Sequence, residues 1–429
     1  MSKFPIVETK LHTIVGGGQA LGEYPDGRKL FVWGGLPGET VNVQVTKKRS
    51  KLVEGKVVEV FEPSKERVAA VDETSYLSTS PWQIMQPSSE AHYKAALIEE
   101  AFELHNIVLP NVITVKTDDV RYGYRNKVEF SFYWDIEAEK LELAFFVRAS
   151  KGKVPVNGTS LAREEINVLA REIRDILQTK NIEARSLKTL LIRCDQNGNC
   201  AWQLYLKDDL PDIITETEAK NLSAQGGELI FSDPKSPASR ITKRLKSFGD
   251  VVLRDRIRNI EFSYATEGFF QVNIPMYEQA LADMKSWLQE GKVVDMYSGV
   301  GTIGLTIGGS QATLIEIDEH AVREMNANIV ALKSAAVAVH AASESAVEYI
   351  TSEATIILDP PRAGLHQDVI NRLLEVKPDR IIYLSCNPVT QARDVALLAE
   401  VYGIKAHTGY NFFPATPHIE HLVILDLKP

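Results

Sequence analysis

From Phe269 to its end the chain alternates helical and strand-like stretches, and this restricts the fold more than any other feature of the 429 residues. Pro275 to Gln289 reads as a helix closed by Gly291. Strands are expected at Lys292 to Met296, Ala312 to Ile317, Thr355 to Leu358 and Arg380 to Leu384, with helical stretches such as Ala321 to Leu332 and Gln367 to Leu374 between them. This is the order of a doubly wound parallel sheet. Leu422 to Leu427 would add a final edge strand. Sheets of this kind keep ligands outside the carboxyl ends of their strands, so the residues that leave each strand are the first candidates for chemistry.

Arg380 to Asp394 carries the strongest of them. A β-branched and apolar run ends in Ser385-Cys386-Asn387-Pro388 and delivers a cysteine at the strand's carboxyl end, with a helix starting near Val389. A free cysteine is ordinarily a small buried hydrophobe. Here Asn-Pro stops the strand directly after the sulfur, and the following helix N-terminus can stabilise a thiolate. Cys386 is therefore read as a nucleophile.

The other strand exits supply possible partners. Val293 to Ser298 is a strand and its exit, and Gly299-Val300-Gly301-Thr302-Ile303-Gly304 matches Gly-x-Gly-x-x-Gly. A lone match is weak, but Glu316 ends the next strand, where a carboxylate can take a ribose diol. The loop alone does not separate a dinucleotide from another adenosine ligand such as S-adenosylmethionine. Asp359-Pro360-Pro361-Arg362 offers a carboxylate on a turn stiffened by two prolines. Near the end, an extended Pro417-His418-Ile419-Glu420 would put His418 and Glu420 on one face, where Glu420 could serve as a base.

Length and a hydrophobic content of 44% allow two or three domains, each with a core. Residues 8–62 alternate apolar and polar positions between glycine-rich turns, as in a small β-barrel of the oligonucleotide-binding kind. Residues 63–265 read as an α+β region. It contains a helix over Ser88 to Asn106 that can pack on the catalytic domain, paired strands near Tyr122 to Phe132 and Leu141 to Val147, and a hairpin turning on Asn197-Gly198. Residues 266–429 form the wound domain.

The net charge of -9 excludes binding of nucleic acid by bulk charge. Two basic groups stand out locally: Lys47, Lys48, Arg49 and Lys51, and then Arg240, Lys243, Arg244, Lys246, Arg254, Arg256 and Arg258. They suggest where a polyanion would lie, as does Tyr124-Arg125-Asn126-Lys127, two cations beside an aromatic. Three scattered cysteines make no disulfide framework, and no metal site is expected, because no further ligands stand at suitable spacing from Cys194 and Cys200. With no apolar run of about 18 residues and no signal-peptide pattern, a cytoplasmic protein is expected, not a membrane one. A monomer is expected.

Several motifs in order resemble one family. Phe-Gln-Val-Asn at 270–273, Asp-Met-Tyr-Ser-Gly-Val-Gly at 295–301, Asp-Pro-Pro-Arg-Ala-Gly at 359–364, Leu-Ser-Cys-Asn-Pro-Val-Thr-Gln-Ala-Arg-Asp at 384–394 and Phe-Pro-Ala-Thr-Pro-His-Ile-Glu at 413–420 look like the RNA uracil C5-methyltransferases. These make 5-methyluridine in ribosomal and transfer RNA. Gly-Gly-Gln-Ala-Leu-Gly at 17–22, with Phe31 to Glu39, resembles their TRAM domain. The resemblance implies a three-part fold: an N-terminal OB-like TRAM barrel (1–62), a central α+β domain (63–265) and a Rossmann-like methyltransferase domain (266–429).

By the same resemblance, Cys386 would add to carbon 6 of a uridine, most readily in 23S rRNA and otherwise in tRNA. S-adenosylmethionine would be the methyl donor, and Glu420 would remove the carbon 5 proton. Gln271, Tyr297, Thr302, Glu316 and Asp359 would line the donor site. Many relatives carry a four-cysteine iron-sulfur cluster. Here Asp72 to Met85 holds no cysteine, and Thr159-Ser160-Leu161 stands where another would fall, so no cluster is expected. Thr302 replaces a frequent asparagine. Methylation of another base, or an RNA-binding or RNA-folding module without turnover, are the competing readings.

Overall fold

The computed structural model describes residues 4–148, 150 and 152–429. Its first sheet has six strands in the order Ile6–Lys10, Thr40–Lys48, Leu52–Glu62, Lys29–Trp33, Gln19–Glu23, Thr13–Val15. The period-two pattern explains it: Val41, Val43 and Val45 point inward with Leu11, Leu30, Val32 and Val53, all fully buried, while the residues between them face out.

The middle region forms a seven-stranded sheet covered by the Glu164–Thr179 helix. Ile166, Leu169, Ala170, Ile173 and Leu177 recur at helical spacing and are buried against it. Leu187–Cys194 and Cys200–Leu206 form the expected hairpin, and its register sets Cys194 opposite Cys200, both buried free thiols.

The third sheet has eight strands in the order Val337–His340, Thr313–Glu316, Lys292–Met296, Ala354–Leu358, Arg380–Ser385, Glu420–Leu427, Tyr402–Tyr410, Val115–Lys116. The first five are parallel. Chain order reverses between Lys292–Met296 and Ala354–Leu358, and the loops leaving those two strands diverge there, opening the crevice in which such sheets hold ligands. The last strand is not at the edge. Glu420–Leu427 lies between Arg380–Ser385 and Tyr402–Tyr410, antiparallel to both. Sequence reading missed Tyr402–Tyr410, whose central residues Gly403 to Thr408 are all half-buried or exposed and show no clean alternation.

Sequence order and packing differ at the Pro87–Glu103 helix. Its Ile98, Ala101 and Phe102 lie in one core with Ile381, Tyr383 and Val395, far along the chain. Burying an isoleucine and a phenylalanine contributes roughly 1.5–3 kcal/mol each, enough to fix the helix on the catalytic sheet. Val115–Lys116 follows it as an added edge strand, parallel to Tyr402–Tyr410.

Asp72 organises the junction between the first two regions. Its carboxylate accepts from Gln83 Nε2 (3.0 Å), Thr159 Oγ1 (3.1 Å), Ser160 Oγ (2.9 Å) and the Ser160 amide (3.1 Å). Gln83 in turn accepts from the Asp72 amide (2.9 Å) and donates to Ser80 (2.7 Å). The cysteine-free stretches noted in the sequence thus meet as one hydrogen-bonded knot.

Candidate active site

Asp295, in the middle of the apolar run Val293 to Met296, is fully buried, and its Oδ2 accepts from the Gly304 amide at 2.8 Å. That bond pulls the loop after the strand into a tight cradle. Tyr297 (φ +67°), Gly299 (+57°) and Gly301 (+87°) all adopt left-handed backbone there, which only glycine takes without cost. Gly304 must stay small: a Cβ would meet Leu314 Cδ2 at 2.1 Å. Burial pushes the Asp295 carboxyl up to about 7.

The cradle and the turn at Asp359 face each other across the switch point. Gln271, Tyr297, Thr302 and Asp359 line a single cleft together with Phe269, Tyr277 and Gly299. Four of the five expected donor-site residues are thus brought together. The Thr302 hydroxyl is hydrogen-bonded to Tyr277 at 2.8 Å. Glu316 stands at the cleft's edge, but its carboxylate is largely engaged. It accepts from the amides of Gly299 (2.9 Å), Ile317 (2.8 Å) and Asp318 (2.8 Å), leaving about one acceptor position of the roughly four that a carboxylate has. It holds the loop first and offers a ribose one hydrogen bond, not two.

Cys386 and Glu420 meet at the end of one ladder. Arg380↔Asp426 through Ser385↔His421 pair in antiparallel register, so Cys386 directly follows and Glu420 directly precedes the last paired residues, close enough for the Glu420 charge to act on the thiol. Glu420 is 5% exposed. Burial raises its carboxyl well above the usual range, and the Asp359 charge adds to this. Asp359 is likewise pushed up by burial, to about 7. Burial, Glu420 and Asp359 push the Cys386 thiol up to about 11, with Arg362 opposing them.

Burial and these charges work against the expected stabilisation of a Cys386 thiolate by the helix N-terminus. Pro388, the first residue of the Pro388–Leu398 helix, has no N–H, and the Val389 amide is taken by the Asn387 side chain at 3.3 Å. Little of the helix end is left to face the sulfur. The segment before the final strand is not extended as expected, and the strand itself begins at Glu420, two residues ahead of the expected Leu422. Ala415 is left-handed (φ +61°), and the chain turns until Glu420, so His418 is exposed while Glu420 is buried.

Asp394 joins the two catalytic loops from beneath: its Oδ2 accepts from the Leu365 amide and the Tyr383 hydroxyl, both at 2.8 Å. Of the unforeseen residues at the site, Asp295 had a legible signal, a carboxylate inside an apolar strand. Tyr277 and the exposed ring of Phe269 had none.

The basic groups sort themselves by pairing. Lys243, Lys246, Arg254 and Arg256 each have a carboxylate within 4 Å, and Arg244 contacts both Glu228 and Glu267. Those five cations share their face with carboxylates, as Lys47 and Arg49 share theirs with Glu54, while Arg240 and Arg258 enter no ion pair among the described residues. In Tyr124 to Lys127, the Tyr124 hydroxyl donates to Pro414 O (3.1 Å), Asn126 to Gln271 O (2.9 Å) and Lys127 to Glu267 O (3.0 Å). These three tie the middle region to the site, and only Arg125 is left to face outward. Arg125 stacks over Phe413 (5.9 Å) and Arg148 over Trp33 (4.3 Å). Neither these two nor Arg362 enters an ion pair among the described residues. Desolvation of the ring first, and then the charges of Arg362, Lys94, Arg125 and Arg148, hold His418 down to about 4 although its outer edge is exposed.

A nucleotide-type cleft beside a cysteine and two perturbed carboxylates, under a cationic rim, is the equipment of an enzyme acting on a polyanion. Comparison with known proteins gives the same class. Over 434 residues the chain is 29% identical to an uncharacterized RNA methyltransferase of Enterococcus faecalis, covering 92% of each. It is 27% identical to another of Fusobacterium nucleatum, covering 99% of this chain and 96% of that one. The fold matches the crystal structure of Pyrococcus abyssi tRNA (uracil-54, C5)-methyltransferase in complex with S-adenosyl-L-homocysteine. The TM-score is 0.80 at 20% identity, over 97% of this chain and 100% of that one. The class these relatives define is that of the RNA methyltransferases. More narrowly, residues 345–428, which include both Cys386 and Glu420, match the tRNA (Uracil-5-)-methyltransferase family, the group its motifs resemble. Among the described residues no helix is long and apolar enough to cross a membrane, and no group of three or more His, Cys, Asp or Glu side chains could hold a metal ion.

Proposed function

We propose that this protein methylates carbon 5 of a uridine in RNA, with Cys386 as nucleophile and Glu420 as base. The closeness of these two side chains at the ends of adjacent paired strands, beside the switch-point cleft, supports the reading. The cleft suits S-adenosylmethionine. Asp359 and Glu316 offer negative charge to a sulfonium, the exposed Phe269 ring and Tyr297 offer aromatic faces, and at Gly299 the backbone lies open, with no atom within 4 Å of where a Cβ would be. Gln271, Tyr297, Thr302, Glu316 and Asp359 would hold it. When bound, S-adenosylmethionine supplies an electrophilic methyl group to carbon 5.

The chain's own residues do the rest. Cys386, once deprotonated, adds to carbon 6 of the uracil, and the electron pair of the ring double bond moves onto the carbon 4 oxygen as an enolate. That makes carbon 5 nucleophilic. After methylation Glu420 removes the carbon 5 proton, the double bond re-forms and the thiolate leaves. A buried carboxylate with a raised pKa is a stronger base than an exposed one, which suits it to a carbon acid. The target nucleotide must be flipped out of its stack to reach the site.

Arg125, Arg148 and Arg362 would steer the phosphates around it. The N-terminal sheet would act as a TRAM-type RNA-binding domain: Lys48, held over the buried Tyr24 ring at 4.6 Å, would offer a fixed cation to a phosphate. We assign 23S rRNA as the substrate and the cytoplasm as the place of action, with the protein working as a monomer. The family description favours tRNA as a second reading.

The test uses purified protein, labelled S-adenosylmethionine and transcripts of 23S rRNA and tRNA. Cys386→Ala should abolish label transfer, and Glu420→Gln should trap an RNA-protein adduct that survives denaturation. Methylation by Cys386→Ala would refute the mechanism. Mapping 5-methyluridine in both RNAs from cells with and without the protein assigns the substrate.

A further inference from the structure

Two charged side chains are buried where the chemistry above does not use them. Glu90 and Lys94, one turn apart on the Pro87–Glu103 helix, are 1% and 0% exposed and pair at 3.0 Å. Taking such a pair out of water costs several kcal/mol per ion unless every polar atom finds a partner. Here the partners come from one segment more than 300 residues further on. The Lys94 ammonium donates to Asn411 Oδ1 and to Phe413 O (3.1 Å), which with Glu90 accounts for its three donors. Glu90 accepts from Asn411 Nδ2 (3.1 Å) and, with both oxygens, from the Ala415 amide (3.0 Å). Arg121 lies 3.7 Å from Glu90 and donates to Trp82 O and Met85 O, closing the other side.

What the pair grips is the segment that leads into Glu420. Ala415 is its left-handed residue, at the point where the chain must turn before the final strand. A helix packed on the catalytic sheet by Ile98, Ala101 and Phe102 thus holds residues 411–415 through charge-assisted bonds. Hydrophobic residues at 90 and 94 would fill the space without fixing the loop. The Asn411 amide, the Phe413 carbonyl and the Ala415 N–H each need a polar partner aimed at them.

We propose that the Glu90–Lys94 pair is a positioning device for the reaction, holding residues 411–419 so that Glu420 meets carbon 5 of the adduct. This rests on the assignment of Cys386 and Glu420 above. Neither Glu90 nor Lys94 touches substrate. Their effect falls on the elimination step, because Cys386 is carried by a different element, the end of Arg380–Ser385.

The test compares wild type, Glu90→Gln, Lys94→Met, the double variant Glu90→Gln/Lys94→Met and Glu420→Gln, read by kcat, KM for RNA, denaturant-resistant RNA adduct and Tm. A base displaced by about 1 Å loses on the order of a hundredfold in rate. Lys94→Met should lower kcat by about tenfold to a hundredfold, leave KM for RNA within about twofold, and accumulate the Cys386-RNA adduct as Glu420→Gln does. It should also lower Tm, since Glu90 is left buried and unpaired. The double variant removes both charges. Its Tm should rise above that of Lys94→Met without reaching wild type, since Arg121 and the Asn411 and Phe413 oxygens lack their partners, while kcat stays low and adduct still accumulates, a combination that a purely structural pair would not give. Recovery of kcat together with Tm in the double variant overturns the proposal. So does wild-type turnover without adduct in Glu90→Gln and Lys94→Met when Glu420→Gln does trap RNA. If Glu420→Gln traps nothing and Cys386→Ala still methylates, the failure lies in the underlying assignment instead.

Discussion

Titration of Cys386 in the RNA-free protein tests the electrostatics of the site directly. The thiol is pushed up to about 11, first by burial and then by Glu420 and Asp359. At pH 8 about one molecule in a thousand then carries the thiolate, against about a quarter for an ordinary thiol of pKa about 8.5. The higher pKa makes the thiolate that does form about tenfold more nucleophilic. The net expectation is alkylation by iodoacetamide roughly twentyfold slower than for a free thiol at pH 8. Its rate should still climb tenfold per unit to pH 10 with no plateau. Cys194 and Cys200 are buried, so mass spectrometry after limited alkylation reports Cys386 alone, with Cys386→Ser as the blank. Glu420→Gln should move the inflection downward, because it removes one of the charges that oppose the thiolate. A plateau by pH 8 in the wild type would refute the reasoning and restore a thiolate held by the helix N-terminus.

Other perturbations follow from the same geometry. Asp295, held at about 7 by burial, binds its proton more tightly folded than unfolded, so its contribution to stability is complete below pH 4 and fades as pH rises to 7. Tm should therefore fall across that window, and Asp295→Asn should flatten the slope, an effect of at most about 4 kcal/mol read by thermal melts at pH 5 and 8. Gly304→Ala would drive a Cβ into Leu314, and calorimetry should show donor binding weakened at least about tenfold, or a loss of roughly 1–3 kcal/mol in stability. Arg125→Ala/Arg148→Ala should raise KM for RNA several-fold and reduce the slope of log KM against log salt by about one per lost phosphate contact, with KM for the donor unchanged.

Much of the site could be read from the sequence, because its residues sit in short runs at strand ends. Cys386, Asp359 and Tyr297 each leave an apolar strand, so a one-dimensional pattern places them on the same side of the sheet. Glu420 was found for a different reason than the one that makes it matter. It does not share an extended face with His418, but opens the strand that pairs with the cysteine's own. Tertiary contacts account for what was missed. The Glu90–Lys94 pair looks like an ordinary surface i, i+4 pair until the 411–415 segment covers it, and the carboxylates beside the basic run from Lys243 to Arg256, Asp209, Asp212, Glu228 and Glu267, come from distant stretches of the chain. The Tyr402–Tyr410 strand carries no alternation, because few of its side chains face a core.

The Asp72 knot bears on where this enzyme can work. A joint fastened by one carboxylate, two hydroxyls and two amide groups is complete as soon as the chain has folded. It needs no iron delivered and no assembly machinery, and it contains nothing for oxygen to oxidise or a chelator to strip away. The hold between these two stretches should therefore be the same in reduced, oxidised and chelator-treated protein.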